Sequence, residues 1–113
     1  MPVIEAMACG VPVIATDWSA HCDFMNEENS YPLPIDGLVP AEAKCPYYAG
    51  FNWAEPSYRH LRRLLRHVYE NQAEARVKGA KASLDVRTKW NWDCAAQKII
   101  DRLDAIQSSR GNP

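Results

Sequence analysis

Residues 2–17 read PVIEAMACGVPVIATD, and this stretch decides the fold class. Pro2 suits a first helical position, because its ring fixes φ near the helical value and its missing N–H would find no partner there anyway. Val3, Ile4, Met7 and Ala8 follow at helical spacing, and Glu5 sits early in the helix, where the helix dipole favours a carboxylate. Gly10 stands where a helix is expected to end on a left-handed residue. Two turns of helix do not persist alone in water, so this helix must pack against something. Residues 11–16 form a continuous apolar, β-branched run, the pattern of a strand buried on both faces in a parallel sheet. Helix, glycine, buried strand is the order of an α/β crossover.

Outward from this unit the pattern weakens. Residues 17–19 read as a polar turn, with Ser19 as the N-cap of a short helix over 20–25. Tyr31, Leu33 and Ile35 alternate with Pro32 and Pro34, which limits that segment to an edge strand. A second extended piece covers Leu38 and Val39. Residues 41–55, ending in CPYYAGFNWAE, read as an aromatic-rich loop, and long loops often serve a partner surface. Pro56 starts a helix that places Tyr58, Leu61, Leu64, Leu65 and Val68 on one face. After a pause at Asn71, a second helix aligns Ala73, Val77, Ala80 and Leu84. Asn91 caps the last helix, whose Trp92, Ala95, Ala96, Ile99, Ile100 and Leu103 follow the strongest helical period in the chain. A strand buried on both faces needs two neighbours, so sheet partners are expected from elsewhere. The open edge invites self-association.

The chain has 113 residues, enough for one domain. Its net charge of −1 gives no global pull toward nucleic acid or an anionic surface. No run approaches the roughly 20 apolar residues that span a bilayer, and no secretory signal opens the chain. Cys9, Cys22, Cys45 and Cys94 form no C-x-x-C pair, so zinc and a dense disulfide framework are not expected. Reduced thiols and a cytoplasmic location follow as the expectation.

Charge is instead local. Residues 59–67, RHLRRLLRH, set four arginines and two histidines around an apolar stripe. Such a helix suits a membrane surface or phosphates; the simpler reading is the solvated face of a docked helix. Tyr47, Tyr48, Phe51 and Trp53 beside these arginines imitate a single-strand-binding surface. No nucleic-acid module accompanies them, so no nucleic-acid partner is expected. Packing between helices accounts better for the aromatics, Trp53 and Trp92 especially. Asp17, Ser19, His21, Cys22 and Asp23 match no metal spacing, and no nucleophile elbow surrounds Ser19. Capping and turn chemistry explains them.

The signature at 2–17 resembles the C-terminal half of retaining GT-B-fold glycosyltransferases, the large group-1 family marked by P-x-x-E-A-M-A-x-G-x-P-V-I. A late W-x-x-x-A helix beginning at Trp92 resembles the end of the same domain. The resemblance implies an α/β chain. Residues 1–107 would be the C-terminal part of a nucleotide-sugar-binding domain, an incomplete Rossmann-like half with few parallel strands followed by C-terminal helices. Residues 108–113 would be a disordered tail.

The implied reaction moves a sugar, with retention, from a UDP- or GDP-type donor to a sugar, lipid or protein acceptor, with no cofactor and no metal. Glu5 takes the position of the second of the family's two glutamates, which accepts hydrogen bonds from the ribose hydroxyls. A carboxylate offers only acceptors and a ribose cis-diol offers two O–H donors, so the two are complementary. Met7, Ala8 and Gly10 would line the same donor corner. The first glutamate, the basic residues that grip the diphosphate and the acceptor domain would lie upstream of Met1. A fragment, inactive alone and with its catalytic residues unassigned, is therefore expected. Peripheral membrane contact of the full-length parent belongs to the partners this reading allows. The stretch DWSAHCDFM departs from the family's small-residue loop, so no role is carried onto it. The competing expectation is a small non-enzymatic interaction protein, a transferase remnant docking through the basic helix.

Overall fold

Two glycines let the first helix and a later one meet backbone to backbone. Gly10 ends α1 (Pro2–Ala8) at φ +75°, and its carbonyl lies against Gly79, midway along α4 (Gln72–Lys89). A Cβ on Gly79 would overlap the Gly10 carbonyl oxygen, lie 3.0 Å from its carbon and 3.4 Å from Pro12 Cδ. Only a glycine lets the two segments meet at this distance, and only a left-handed residue turns the chain there without strain. The computed structural model describes residues 2–41 and 46–110.

After α1 come β1 (Ile14–Thr16), α2 (His21–Phe24), β2 (Tyr31–Leu33), β3 (Ile35–Pro40), a single 3-10 turn (Pro46–Tyr48) and β4 (Asn52–Pro56). Three helices follow: α3 (Tyr58–Glu70), α4, and α5 (Trp92–Arg110). The chain is mixed α/β. β1 and β2 pair in parallel, Ile14 opposite Tyr31 and Thr16 opposite Leu33, and β3 pairs antiparallel with β4. The core is small: Met7, Met25, Ala82 and Val86, with Val3, Ile4, Ala8, Val13, Ala15 and Phe24 packed around it. The radius of gyration is 18.4 Å, well beyond the roughly 13 Å of a compact chain of about this length, so much of the helical surface stands apart from that core.

The structure corrects several expectations. The strand over 11–16 contracts to Ile14–Thr16, because Pro12 has no N–H to give a ladder. It is half-buried rather than buried on both faces, with Val11 half exposed, since among the described residues β1 has one neighbouring strand. Among the described residues no strand pairs with its other edge. Ser19 does not cap α2; it sits at φ +54°, and Ala20 precedes the helix without a side-chain cap. The expected loop over 41–55 holds β4, although residues 42–45 lie outside the described residues. α3 begins at Tyr58, after Ser57, rather than at Pro56. Of the tail expected over 108–113, residues 108–110 continue α5, and 111–113 lie outside the described residues.

The α4 face also differs from expectation. Ala75, Gly79, Ala82 and Val86 are buried, whereas Ala73, Val77, Ala80 and Leu84 face solvent. Small residues win the inner face because α1 must approach closely. No residue of 92–109 is buried, so the regular apolar stripe of α5 lies uncovered, Trp92 included. Tyr47, Tyr48, Phe51 and Trp53 are exposed as well, and the Tyr48 and Trp53 rings lean on each other at 5.7 Å beside the two-stranded β3–β4 sheet.

Candidate functional site

Among the described residues, α1 presents Pro2 and Glu5 to solvent on one side, with Cys9 just past its end exposed on the same side, and Ile4, Met7 and Ala8 to the body on the other. Period 3.6 divides the seven residues this way, and the body side docks on α4. Glu5 is exposed, and among the described residues its carboxylate has neither an ion-pair partner nor a hydrogen bond. A polar side chain left this free can accept from an incoming ligand.

The neighbours expected to share the corner are placed differently. Met7 is fully buried and belongs to the core. The Ala8 carbonyl accepts a hydrogen bond from Ser83 Oγ at 2.8 Å and faces the Arg87 guanidinium at 3.4 Å, so α4 satisfies the end of α1. The amides of Cys9, Gly10 and Val11 donate to the carbonyls of Glu5, Met7 and Ala6. Those N–H groups serve the helix end. Glu5 is therefore the one expected site residue whose functional atoms are unoccupied.

The turn after β1 is held by its own side chains. His21 Nδ1 lies 3.0 Å from the Thr16 carbonyl oxygen, and the Cys22 thiol donates to Asp17 at 3.4 Å. Partial desolvation and then the Asp17 carboxylate push the Cys22 thiol pKa up, which disfavours a reactive thiolate. Cys9, Cys22 and Cys94 are free thiols; Cys45 lies outside the described residues. Among the described residues no His, Cys, Asp and Glu gather as a metal set, and no helix is long and apolar enough to cross a membrane.

Two polar clusters were not anticipated. Asp85 is buried on α4 and accepts from Lys81 Nζ at 2.9 Å, Lys89 Nζ at 3.2 Å and Asn29 Nδ2 at 3.2 Å. Lys81 first, then Lys89 and Asn29, hold its pKa down at about 2 against the opposing effect of burial. Buried Asn29 also donates to the Phe24 carbonyl at 3.0 Å and accepts the Asn26 amide at 2.9 Å, so the cluster ties the α2–β2 turn to α4. Beside it a cavity of about 510 Å³ opens toward Trp90 and Lys98, whose ammonium stands 5.1 Å from the indole centroid. The i, i+4 repeat Lys81, Asp85, Lys89 was visible in the sequence; its burial was not.

The second cluster joins α3 to α4. His67 Nε2 lies 3.0 Å from Glu74 Oε2, and Asn71 Nδ2 donates to His67 Nδ1 at 3.3 Å. The Asn71 donor requires Nδ1 to accept, so Nε2 carries the proton and donates to Glu74. That bond lowers the Glu74 pKa. Tyr31 lies beneath, its ring edge-on to His67 at 6.0 Å and under the Lys78 ammonium at 4.8 Å. Its hydroxyl is buried and makes no hydrogen bond of good geometry among the described residues; burial first, then the nearby Glu74 carboxylate, raises its pKa.

Compared with known proteins, the chain matches no family model, no curated protein and no solved structure.

Proposed function

We propose that α1, the Gly10 turn and β1 form the ribose side of a nucleotide-sugar site, and that the chain is the C-terminal portion of a GT-B-type, Rossmann-like donor domain of a retaining glycosyltransferase. The observation that supports this most is the Glu5 carboxylate. It sits on the solvent side of α1, unpaired among the described residues, within the in-register signature PVIEAMACGVPVIATD. In this role Glu5 accepts both hydroxyls of a ribose, and charge-assisted bonds of this kind are strong enough to orient a nucleotide. Met7 and Gly10 act behind it: Met7 anchors α1 in the core and Gly10 aims it. The residues that stabilise the departing diphosphate lie outside these 113 residues on this reading, so the chain alone turns over no donor.

The test is equilibrium binding of uridine and guanosine diphosphate against their 2′,3′-dideoxy counterparts. Loss of charge-assisted hydrogen bonds, about 1.5–3 kcal/mol, corresponds to a ten-fold or larger preference for the hydroxylated form. Glu5→Gln is expected to remove most of that preference. Equal binding of both forms by the unaltered chain would end the assignment.

The uncovered stripes of α4 and α5, with Val77, Leu84, Ile99 and Leu103 each more than half exposed, favour a second reading: a non-enzymatic interaction remnant. Concentration-dependent sedimentation, without any nucleotide preference, is the result that would select it.

A further inference from the structure

We propose that the outer face of α3 docks the protein on an anionic phospholipid surface. The proposal stands apart from the Glu5 reading. α3 rests on β2 and α4 through its inner side, where His60, Leu61, Leu64 and Val68 are half-buried or held by hydrogen bonds such as Ser57 Oγ to His60 Nδ1 at 2.9 Å. The opposite side faces solvent.

That outer side is not a plain solvated face. Tyr58, Leu65 and Tyr69 are 68%, 56% and 74% exposed. At about 100° per residue, Leu65, Tyr58, Tyr69 and Arg62 fall within a sector of roughly 60°. Arg66, Arg59 and Arg63 fill the roughly 100° beside it. An apolar and aromatic strip, crossed by Arg62, thus runs the length of the helix, and the flank beside it carries Arg59, Arg63 and Arg66 with Glu70 among them. A helix selected only for solvation has no reason to hold a leucine and two tyrosines outward over all its turns.

Charge selects the occupant. Arg66 has Glu70 at 3.7 Å, and among the described residues Arg59, Arg62 and Arg63 have no carboxylate within ion-pair distance. The chain as a whole is nearly neutral, so this is a local surplus of positive charge. Guanidinium groups bind phosphates through paired N–H donors. Tyrosine, with an apolar ring and a polar tip, settles at the headgroup boundary, and Leu65 reaches below it. Arginines beside a strip that can enter an apolar layer fit phosphodiester headgroups over acyl chains. A nucleic acid would use the charge and leave Leu65 without a role.

The experiment is co-sedimentation of the 113-residue chain with vesicles of phosphatidylcholine alone, or with roughly 30% phosphatidylglycerol added. Partitioning is expected to be about ten-fold or more greater on the anionic vesicles and to fall with added salt. Two variants probe the two halves of the surface: R59Q/R62Q/R63Q/R66Q removes the charge, and L65S/Y69S removes the insertion. Both alter exposed side chains, and thermal melting checks that each still folds. Each is expected to lose about ten-fold in partitioning with a preserved fold. Equal partitioning on neutral and anionic vesicles would overturn the proposal, as would an arginine variant that binds like the parent. An L65S/Y69S variant that keeps full binding, while the chain binds a single-stranded oligonucleotide equally well, would also overturn it, leaving a general polyanion surface.

Discussion

Replacing Gly79 by alanine tests the packing on which the Glu5 corner depends. Helix propensity alone predicts stabilisation by nearly 1 kcal/mol, because alanine is the best helix former and glycine among the worst. The structure predicts the opposite. The new methyl would overlap the Gly10 carbonyl oxygen and lie 3.0 Å from the Gly10 carbon, both backbone atoms that cannot swing aside. α1 and its turn must therefore retreat from α4 by about 1 Å, and overpacking of this kind costs about 1–3 kcal/mol. The same retreat stretches the 2.8 Å bond from Ser83 Oγ to the Ala8 carbonyl, worth about 1 kcal/mol. After the propensity gain is subtracted, a net loss of about 1–3 kcal/mol remains. Urea unfolding followed by circular dichroism reads this directly, and the thermal midpoint should fall by about 4 °C or more per kcal/mol. A variant as stable as the parent, or more stable, would show that α1 does not sit on α4 at this distance.

Other expectations follow from the same packing and charge. Asp85 has its folded pKa depressed to about 2, below its unfolded value, so its contribution is fully present above about pH 4 and is lost as pH falls through the folded pKa. Asp85→Asn should lower stability by about 2 kcal/mol at neutral pH, and the gap from the parent should close near pH 2; a gap independent of pH would mean the ion cluster is not formed. Gly10→Ala places a Cβ at φ +75° and should cost about 1 kcal/mol, read in the same urea assay. Ile99→Gln with Leu103→Gln should leave monomer stability within about 0.5 kcal/mol, since both side chains are exposed. A larger loss would show α5 packed in solution, on the body or on a second copy.

The first seventeen residues were legible because glycine and proline punctuate them and the apolar period changes from helix to strand at Gly10. Helix α1, the turn and β1 stand in that order. The strand's extent was misread because the apolar pattern ignores the donor missing at Pro12. The three C-terminal helices were legible as helices. Their faces were not, since α4 carries two stripes of similar period: bulkier Val77 and Leu84 on one, Gly79 and Ala82 on the other. Hydrophobicity favours the first, and the demand for close approach to α1 decides for the second. β4 is hard to read because its one aromatic, Trp53, continues the aromatic run of Tyr47, Tyr48 and Phe51 and so resembles a binding loop, and Asn52 and Pro56 mark its ends as turns. As for the site, Glu5 stood out by its place in the signature, whereas burial of Met7 and use of the neighbouring amides are tertiary facts. Asp85 was hidden for the same reason: a lysine four residues to either side reads as surface decoration until Asn29 closes over it.

The most direct measurement is a nitrogen–proton correlation spectrum of the labelled chain titrated with uridine or guanosine diphosphate. The account predicts shifts concentrated on the amides of α1 and the Gly10 turn, and their disappearance in Glu5→Gln. Shifts centred elsewhere, none at millimolar nucleotide, or a map unchanged by the substitution would contradict it.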